Sequence, residues 1–569
     1  MFSKIKDITF FLNAIRYMNL GIKKVFVWLM NVTQARFFVY ATLLNIVCSL
    51  FSIPAIGGRV MNVLFIVAVS CFVAYLESVV YRLLGLKALR MAFAVIIAAV
   101  TNLLAVVDCF LWLNFKRIIC YDTIALLLET NGKETSNFME TYLSVSSVCT
   151  YVLVALLANV AFVLISNLLK RKSVRAISAV AAVAGAVAVG SCVHSYVVNM
   201  VSTGITQISS LSRVGYAMYL VHKNKEDLKL LAETCRNAKA EQRDGKKLNV
   251  VVVIGESFSV YRSSLYGCER NTNPRLKKRV DSGDLFLFDD AVTIYHATSI
   301  AMQAVFSLGE RFGGFFETPL FPACFKAVGY SNCLYDNEYF DGDNENSFLC
   351  YKELSDILYD KRNGKAYAYD MDMVNDAPRM KEPYLSIYHL CGQHYTYKER
   401  YPSQFAKFKP SDYDMKYGAR ERDMMANYDN ANLYNDYVVD SILNRHKDDY
   451  CVVVYFSDHG EEVFELRDFM GHGSSHTSPN PNYQLRVPLM VWMSPSYREG
   501  NPNMVERLKR AEKYPISTDD ISHVLLDMAG ITCKDFNPKR SFVNDDYDTL
   551  RHRIVMRSVD YDKDIKPKR

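Results

Sequence analysis

The chain has 569 residues and a formal net charge of +6, with a mean hydropathy of zero. This length predicts more than one domain. The average hides two unlike parts, because roughly the first 200 residues are strongly apolar and the remainder has ordinary globular composition. The small net charge, with no stripe of gathered lysine and arginine, argues against nucleic-acid binding.

Five apolar segments in the first part are long enough to cross a bilayer. We place them at about 37–55, 62–81, 91–114, 143–168 and 177–199. Basic residues collect before the first segment and in the second and fourth loops, so the positive-inside rule places those parts in the cytoplasm. Five crossings then put everything after the last segment outside the cytoplasm.

The rest of the chain divides into a polar, helix-prone linker over 201–247 and a domain over 248–569. Within this domain, apolar runs alternate with longer helical stretches, which is the pattern of βαβ units in a mainly parallel sheet. We predict strands at 248–254, 331–335, 384–390, 451–456 and 486–493. The predicted organisation is a five-helix transmembrane domain over 1–200, the linker, and an external α/β domain.

Fourteen cysteines raise the question of disulfides in such an external domain. Six lie in or beside the predicted spans, where cysteine usually serves as a small apolar residue. Among the other eight, three are close enough in sequence to pair: Cys324, Cys333 and Cys350. The chain has no CxxC motif and no dense cysteine framework.

Polar residues follow two predicted strands directly. One apolar run ends in Gly255–Ser257, which contains Glu256, and another ends in Asp458–His459. Open α/β sheets place their chemistry beyond the carboxyl ends of the strands, and a carboxylate with an Asp-His pair makes half of a divalent-metal site. Taken alone, Glu256 could be a structural charge at a helix N-terminus, and Asp458–His459 could be a structural hydrogen-bonded pair. The occurrence of both features in one chain favours a shared metal.

A candidate nucleophile lies between these strands, at Thr298 or Ser299. A hydroxyl beside a cation is a good nucleophile because the cation stabilises the alkoxide. The alternative is a helix N-cap, and the two uses are compatible because a helix N-terminus also stabilises a phosphate. Four histidines after strands or in a Gly-rich loop suggest phosphate contacts or a second metal: His389, His394, His472 and His476.

Together these residues resemble the phosphoethanolamine transferases of Gram-negative bacteria, members of the alkaline phosphatase/sulfatase superfamily. The resemblance is carried by six groups of residues, Ile254–Ser257, Leu265–Pro274, His389–His394 with Arg400–Pro402, Tyr428–Ala431, Ser457–Glu461 and Arg486–Pro488. It covers nearly the whole chain. It implies five membrane helices, a bridging region and an external α/β/α sandwich of the alkaline phosphatase/sulfatase type.

The resemblance also implies a site. The ligands of a catalytic zinc would be Glu256, Thr298, Asp458 and His459, with a second zinc as an alternative and manganese less favoured. Thr298 is preferred to Ser299 as the nucleophile, because it leaves Phe306–Ser307 at the family's downstream position. His394 and His472 are implied as phosphate-binding residues or second-metal ligands. Thr130 and Glu134, four apart on one helical face, resemble the membrane-domain segment that reaches the donor headgroup.

The implied reaction transfers phosphoethanolamine from phosphatidylethanolamine to an envelope glycolipid or glycan, such as lipid A or a periplasmic glucan. It would proceed through a zinc-bound threonine, in a monomeric protein of the bacterial inner membrane with its catalytic domain in the periplasm. Tyr295 and Ala304 stand where the lipid A-modifying enzymes carry a cysteine pair, which leaves the acceptor open. The alternatives are a phosphoglycerol transferase or other phosphodiester hydrolase of this fold, and a non-enzymatic membrane sensor.

Overall fold

The computed structural model describes residues 23–50, 60–115, 118–120, 123–124, 127, 145–199, 210–309, 315–337, 353–359, 367–472, 480–556 and 558–567. The chain divides into two units, Met1–His222 and Lys223–Arg569. Each unit has hydrophobic clusters of its own. The division falls inside the predicted linker.

Five apolar helices of the first unit correspond to the five predicted spans. They are α1 to α5, namely Ala35–Ser49, Val60–Leu83, Lys87–Phe115, Val145–Leu168 and Arg171–Asn199. Among the described helices, α2 to α5 are long and apolar enough to cross a membrane. Helix α1 has 15 residues, fewer than the roughly 20 that a crossing needs. The apolar membrane anchor is therefore supported, and the fifth crossing stays a prediction.

Buried and partly buried polar side chains join the helices of this unit. Asn45 of α1 donates a hydrogen bond to the Glu77 carboxylate of α2 at 2.9 Å, and Tyr40 donates to Asn159 of α4 at 2.6 Å. In contrast, the apolar side chains of the α4 window are mostly exposed. Interhelical hydrogen bonds hold membrane helices together, while apolar side chains face the lipid.

A seven-stranded sheet forms the centre of the second unit. Its strands, β1 to β7, are Asn249–Gly255, Leu285–Leu287, Ser331–Asp336, Ile357–Tyr359, Tyr384–His389, Cys451–Ser457 and Leu489–Met493. Their spatial order is β2-β7-β6-β1-β5-β3-β4. Strand β7 runs antiparallel to both neighbours, and the other described pairings in this sheet are parallel. The predicted mainly parallel sheet is confirmed, with two short edge strands, β2 and β4, that were not predicted.

The central strand β1 shows why this sheet forms. All seven of its residues are buried, as expected for a parallel strand covered by helices on both faces. Because strand side chains alternate, Val250 and Val252 join one hydrophobic cluster while Val251 and Val253 join another. Each fully buried Val or Ile contributes roughly 1.5–3 kcal/mol, so the strand is held from both sides.

Helices and short strand pairs complete this unit. The helices are α6 to α15, namely Ser210–Arg236 (which begins in the first unit), Pro274–Asp281, Thr298–Phe306, Phe321–Ala327, Asp370–Asp376, Ala419–Arg445, Asn482–Leu485, Pro495–Gly500, Pro502–Ala511 and Ile521–Ala529. The short pairs are Glu241–Gln242 with Ile531–Thr532, Ala291–Val292 with Ile516–Ser517, Glu462–Val463 with Met470–Gly471, and Ile554–Val555 with Val559–Asp560.

The sequence-based suggestion that Cys324 and Cys333 pair is wrong. Cys324 packs in the cluster that contains Val250, whereas Cys333 packs in the cluster on the opposite face of the sheet. The sheet therefore lies between the two thiols. Cys350, the third candidate, lies outside the described residues.

The C-terminal segment braces the loop that leads to α8. The Arg553 guanidinium is buried and donates to Asp290 at 2.9 Å and to Asp562 at 3.0 Å. The backbone N–H of Met556 donates to the carbonyl of Ile294 at 2.8 Å. These contacts fix the residues just before Thr298, at the start of α8.

Replacing Arg553 with Met should destabilise the protein, because it removes the buried cation between Asp290 and Asp562 and leaves them with the more exposed Lys566. Losing one partner of a fully buried pair costs about 3–5 kcal/mol. Here the two carboxylates are 22% and 26% exposed, so we expect about 2 kcal/mol, measured as a lower Tm of the purified full-length protein. Arg507→Met, which breaks an exposed pair with Asp545, is the control. Equal Tm values for the two variants would contradict the proposed brace.

Candidate metal centre

Two adjacent parallel strands bring three ionisable side chains to one point. Gly255 at the end of β1 is in register with Ser457 at the end of β6. The next residues, Glu256 on one chain segment and Asp458–His459 on the other, are 1% exposed or less. The His459 Nε2 atom lies 3.4 Å from Glu256 Oε1 and 3.2 Å from Asp458 Oδ2. One ligand atom from each side chain fits within a span of 4.8 Å.

Thr298 faces this cluster as the first residue of α8. Its Oγ1 atom lies 3.3 Å from Glu256 Oε2 and 3.4 Å from His459 Nε2. The N-cap of α8 is Ala297, so neither Thr298 nor Ser299 occupies the N-cap position, which was their alternative role. The structure thus brings together all four side chains that the resemblance implied as ligands.

The chemistry of this donor set fits a divalent cation. Two buried carboxylates this close repel each other, and a cation offsets the repulsion. Asp458 Oδ2 is buried and accepts no hydrogen bond from the described residues. The combination of carboxylate oxygen, imidazole nitrogen and hydroxyl suits zinc and other first-row divalent metals.

The His459 ring is oriented for ligation. Its Nδ1 atom donates to the carbonyl of Gly460 at 3.0 Å, and this bond leaves the Nε2 lone pair directed at the cluster. Burial lowers the pKa of His459, which keeps the ring neutral. A neutral ring is the form that binds a metal.

A loop after β5 packs directly on Glu256. Gly392 has a φ of +48°, and a Cβ there would lie 2.9 Å from the backbone nitrogen of Glu256, so only glycine fits. The Gln393 N–H donates to the Glu256 carbonyl at 3.1 Å. Asp370 fixes this loop by accepting the N–H groups of Cys391 and Gly392 at 2.9 and 3.0 Å. Sequence reasoning missed Asp370, which no motif marks.

A second group of ligand-type side chains adjoins the first. His459, Glu461 and His472 offer ligand atoms within a span of 4.8 Å, and the rings of the two histidines lie 3.9 Å apart. Glu461 Oε2 lies 2.8 Å from His472 Nδ1, and Tyr397 donates to Glu461 Oε1 at 2.6 Å. Burial raises the pKa of Glu461 to about 8. The structure therefore places His472 beside the candidate metal ligand His459. It also adds two side chains, Glu461 and Tyr397, to the predicted site.

The remaining predicted residues have different surroundings. His394 lies on the loop that covers Glu256, and its Nδ1 atom donates to the Tyr395 carbonyl at 2.8 Å. The buried His389 ring lies 3.0 Å from Asp336. Three predicted residues lie outside the described part of the chain: Thr130, Glu134 and His476.

Buried ligand-type side chains thus lie at the carboxyl edge of a mainly parallel sheet and are faced by a hydroxyl from a helix N-terminus. Residues 248–531 match the Sulfatase family model. The C-terminal domain of this chain is therefore a sulfatase-type α/β domain.

Within this class, the chain is related by sequence to phosphoethanolamine transferases. It is 31% identical over 313 residues to phosphoethanolamine transferase EptC of Escherichia coli K12, covering 52% of this chain and 53% of the relative. It is 29% identical over 310 residues to Kdo(2)-lipid A phosphoethanolamine 7''-transferase of the same strain, covering 52% and 53%. The chain thus spans about half the length of the curated relatives it matches.

The solved structures that are similar to this chain include two phosphoethanolamine transferases. The C-terminal periplasmic domain of Escherichia coli EptC, in complex with zinc, has 27% identity and a TM-score of 0.52, covering 57% of this chain and 96% of that domain. The integral membrane protein lipooligosaccharide phosphoethanolamine transferase A of Neisseria meningitidis has 17% identity and a TM-score of 0.61, covering 89% and 97%. The latter supports the fold, a sulfatase-type domain preceded by apolar helices.

Glu256→Ala and Asp458→Ala should each deplete bound metal from the purified protein. Each removes an anionic ligand, and loss of even an outer partner lowers metal affinity about 10–100-fold. Metal analysis after dialysis measures this, with circular dichroism to verify folding. The exposed carboxylate variant Asp423→Ala is the control and should keep its metal. Wild-type metal content in Glu256→Ala and Asp458→Ala would refute the ligand assignment.

Proposed function

We propose that the protein is a zinc-dependent transferase that moves phosphoethanolamine from phosphatidylethanolamine to an envelope glycolipid or glycan. The observation that carries this proposal is the position of the Thr298 hydroxyl, 3.3 Å from Glu256 and 3.4 Å from His459 at the start of a helix. Phosphoethanolamine is proposed as the transferred group because the relatives are named phosphoethanolamine transferases. The zinc complex of the EptC domain supports zinc as the metal.

The residues that would hold the zinc are Glu256, Thr298, Asp458 and His459. When bound, the cation stabilises negative charge on the attacking hydroxyl oxygen and on the phosphoryl group. The His472 ring beside His459, together with Glu461, offers a place for a second zinc or for a phosphoryl contact. His394 is proposed as a further phosphate contact.

The Thr298 hydroxyl is proposed as the nucleophile. It donates its hydrogen bond to Glu256, which increases the electron density on the oxygen that attacks phosphorus. Diacylglycerol would leave, and phosphoethanolamine would remain on Thr298. An acceptor phosphate or hydroxyl would then attack the same phosphorus and release Thr298, which gives ping-pong kinetics.

The N-terminus of α8 suits both steps. The first N–H groups of a helix have no partner within the helix, and with the helix dipole they stabilise a phosphate. Thr298 is the first residue of this nine-residue helix. A phosphoryl group on its side chain would therefore lie beside those N–H groups.

The apolar helices support a place for this reaction at a membrane. We propose the bacterial inner membrane, with the domain over 248–569 in the periplasm, because both the donor and a glycolipid acceptor are insoluble in water. The anchor keeps the active site at the leaflet that holds them. Thr130 and Glu134 are proposed contacts to the donor headgroup, and the protein is proposed to act as a monomer.

Thr298→Ala should lower transfer at least about a thousandfold, as removal of a covalent nucleophile does in other enzymes. Thr298→Ser should retain part of the activity because the oxygen is kept. Headgroup-labelled phosphatidylethanolamine followed by peptide mapping measures the intermediate. An adduct on Thr298 is expected, whereas an adduct on Ser299 would move the role by one residue.

The same assay separates donor classes. Labelled phosphatidylglycerol tests the phosphoglycerol transferase alternative, which would leave phosphoglycerol on Thr298. Ser299→Ala serves as the matched control and should still form the adduct. Transfer at the wild-type rate by Thr298→Ala would rule out covalent catalysis through this residue.

A further inference from the structure

Three cysteines far apart in sequence meet in the core of the second unit. Cys235 lies at the end of α6, Cys324 lies in α9, and Cys533 follows the short strand Ile531–Thr532. All three belong to or pack against one hydrophobic cluster. Helix α9 packs on α15, and α15 leads directly into that strand, so the fold itself brings Cys533 to Cys324.

Two of these thiols lie beside each other. The side chain of Cys324 interacts directly with that of Cys533. Cys235 has a different partner, because its sulfur accepts the backbone N–H of Leu320 at 3.4 Å. The contacts therefore select Cys324 and Cys533 as a pair and leave Cys235 beside it.

We propose that Cys324 and Cys533 form a disulfide once the C-terminal unit reaches an oxidising compartment. This inference rests on the external location given under the proposed function. Disulfides form and persist outside the cytoplasm. Two thiols that lie beside each other in one core can approach to the disulfide bond length of about 2.05 Å.

The two cysteines differ in exposure and in pKa, and this difference indicates which thiol is oxidised first. Cys324 is fully buried, and Cys533 is partly exposed. The interaction with Cys324 lowers the pKa of Cys533 to about 7. A thiolate, not a thiol, attacks a disulfide, so Cys533 is the thiol that reacts first with an outside oxidant.

The oxidant is a protein disulfide of the thiol–disulfide exchange class. The Cys533 thiolate attacks one sulfur of that disulfide, and the other donor sulfur leaves as a thiolate. Cys324 then gives up its proton, its sulfur attacks the Cys533 sulfur, and the second donor thiolate leaves. Two thiols of this chain are oxidised to one disulfide, and the donor disulfide is reduced to two thiols.

The bond would tie α9, shortly after the nucleophile helix, to the C-terminal part of the domain. It closes a loop of about 200 residues, and long loops gain the most from closure because the unfolded chain is constrained. Asp458 and His459 lie within this loop. The disulfide would therefore stabilise the half of the domain that carries them.

Peptide mapping tests the bond on the full-length protein. Intact cells are treated with N-ethylmaleimide before lysis, so that thiols cannot exchange, and the purified protein is digested without reductant. Trypsin releases the three cysteines in separate peptides, spanning residues 230–236, 312–326 and 514–534. We expect the second and third peptides joined to each other and the first carrying maleimide.

Variants add a second measurement. Cys324→Ser and Cys533→Ser should each lower Tm by about 5 °C, and reductant should lower the wild-type Tm by a similar amount. Cys235→Ser is the matched control and should keep both the joined peptides and the reductant-sensitive Tm.

Maleimide on both the 312–326 and 514–534 peptides of the wild-type protein would overturn the proposal, as would a bond from Cys324 to Cys235. Peptide mapping reports only the state of the cysteines and does not depend on phosphoethanolamine transfer. Joined peptides in a protein without transfer activity would refute the proposed function and support the disulfide. An active protein with maleimide on both Cys324 and Cys533 would support the proposed function and refute the disulfide.

Discussion

The confinement of two carboxylates and an imidazole at the ends of two adjacent strands is the constraint on which the rest of the domain depends. Glu256, Asp458 and His459 are excluded from water and offer ligand atoms that lie within 4.8 Å of one another. Without a cation, such a group is costly to bury. The surrounding contacts hold the three side chains in this arrangement. One of them is the close packing of a loop on Glu256, which Gly392 makes possible.

Several layers of structure act on the same point. The apolar core on both faces of the sheet sets the positions of β1 and β6, and their register sets the separation of the ligand-type side chains. The C-terminal brace around Arg553 fixes the loop before α8. The start of α8 then presents Thr298 to the cluster. Stability and chemistry are therefore coupled, because the elements that bury the core also orient the site.

Much of this arrangement was predictable from local pattern. A buried parallel strand reads as a continuous apolar run, and its carboxyl end is where an open sheet places its chemistry, so Glu256 and Asp458–His459 were found without a structure. The five predicted strands were correct for the same reason. Strands β2 and β4 were missed because three-residue edge strands carry too little periodicity to be seen.

The contacts that depend on tertiary packing were not predictable. Asp370 reaches the loop over Glu256 from a helix that carries no recognisable motif. Proximity in sequence suggested Cys324 with Cys333, but alternation along the strand and the position of α9 place them on opposite faces of the sheet. Cys533, more than 200 residues away in sequence, became a neighbour only through the packing of α9 on α15.

The most direct test of this account is anomalous diffraction at the zinc absorption edge, from crystals of the full-length protein. The account predicts a peak enclosed by Glu256, Asp458 and His459, with the Thr298 oxygen as a further ligand. A zinc peak bound only by Glu461 and His472, or density that shows the Thr298 side chain turned away from the metal, would contradict it.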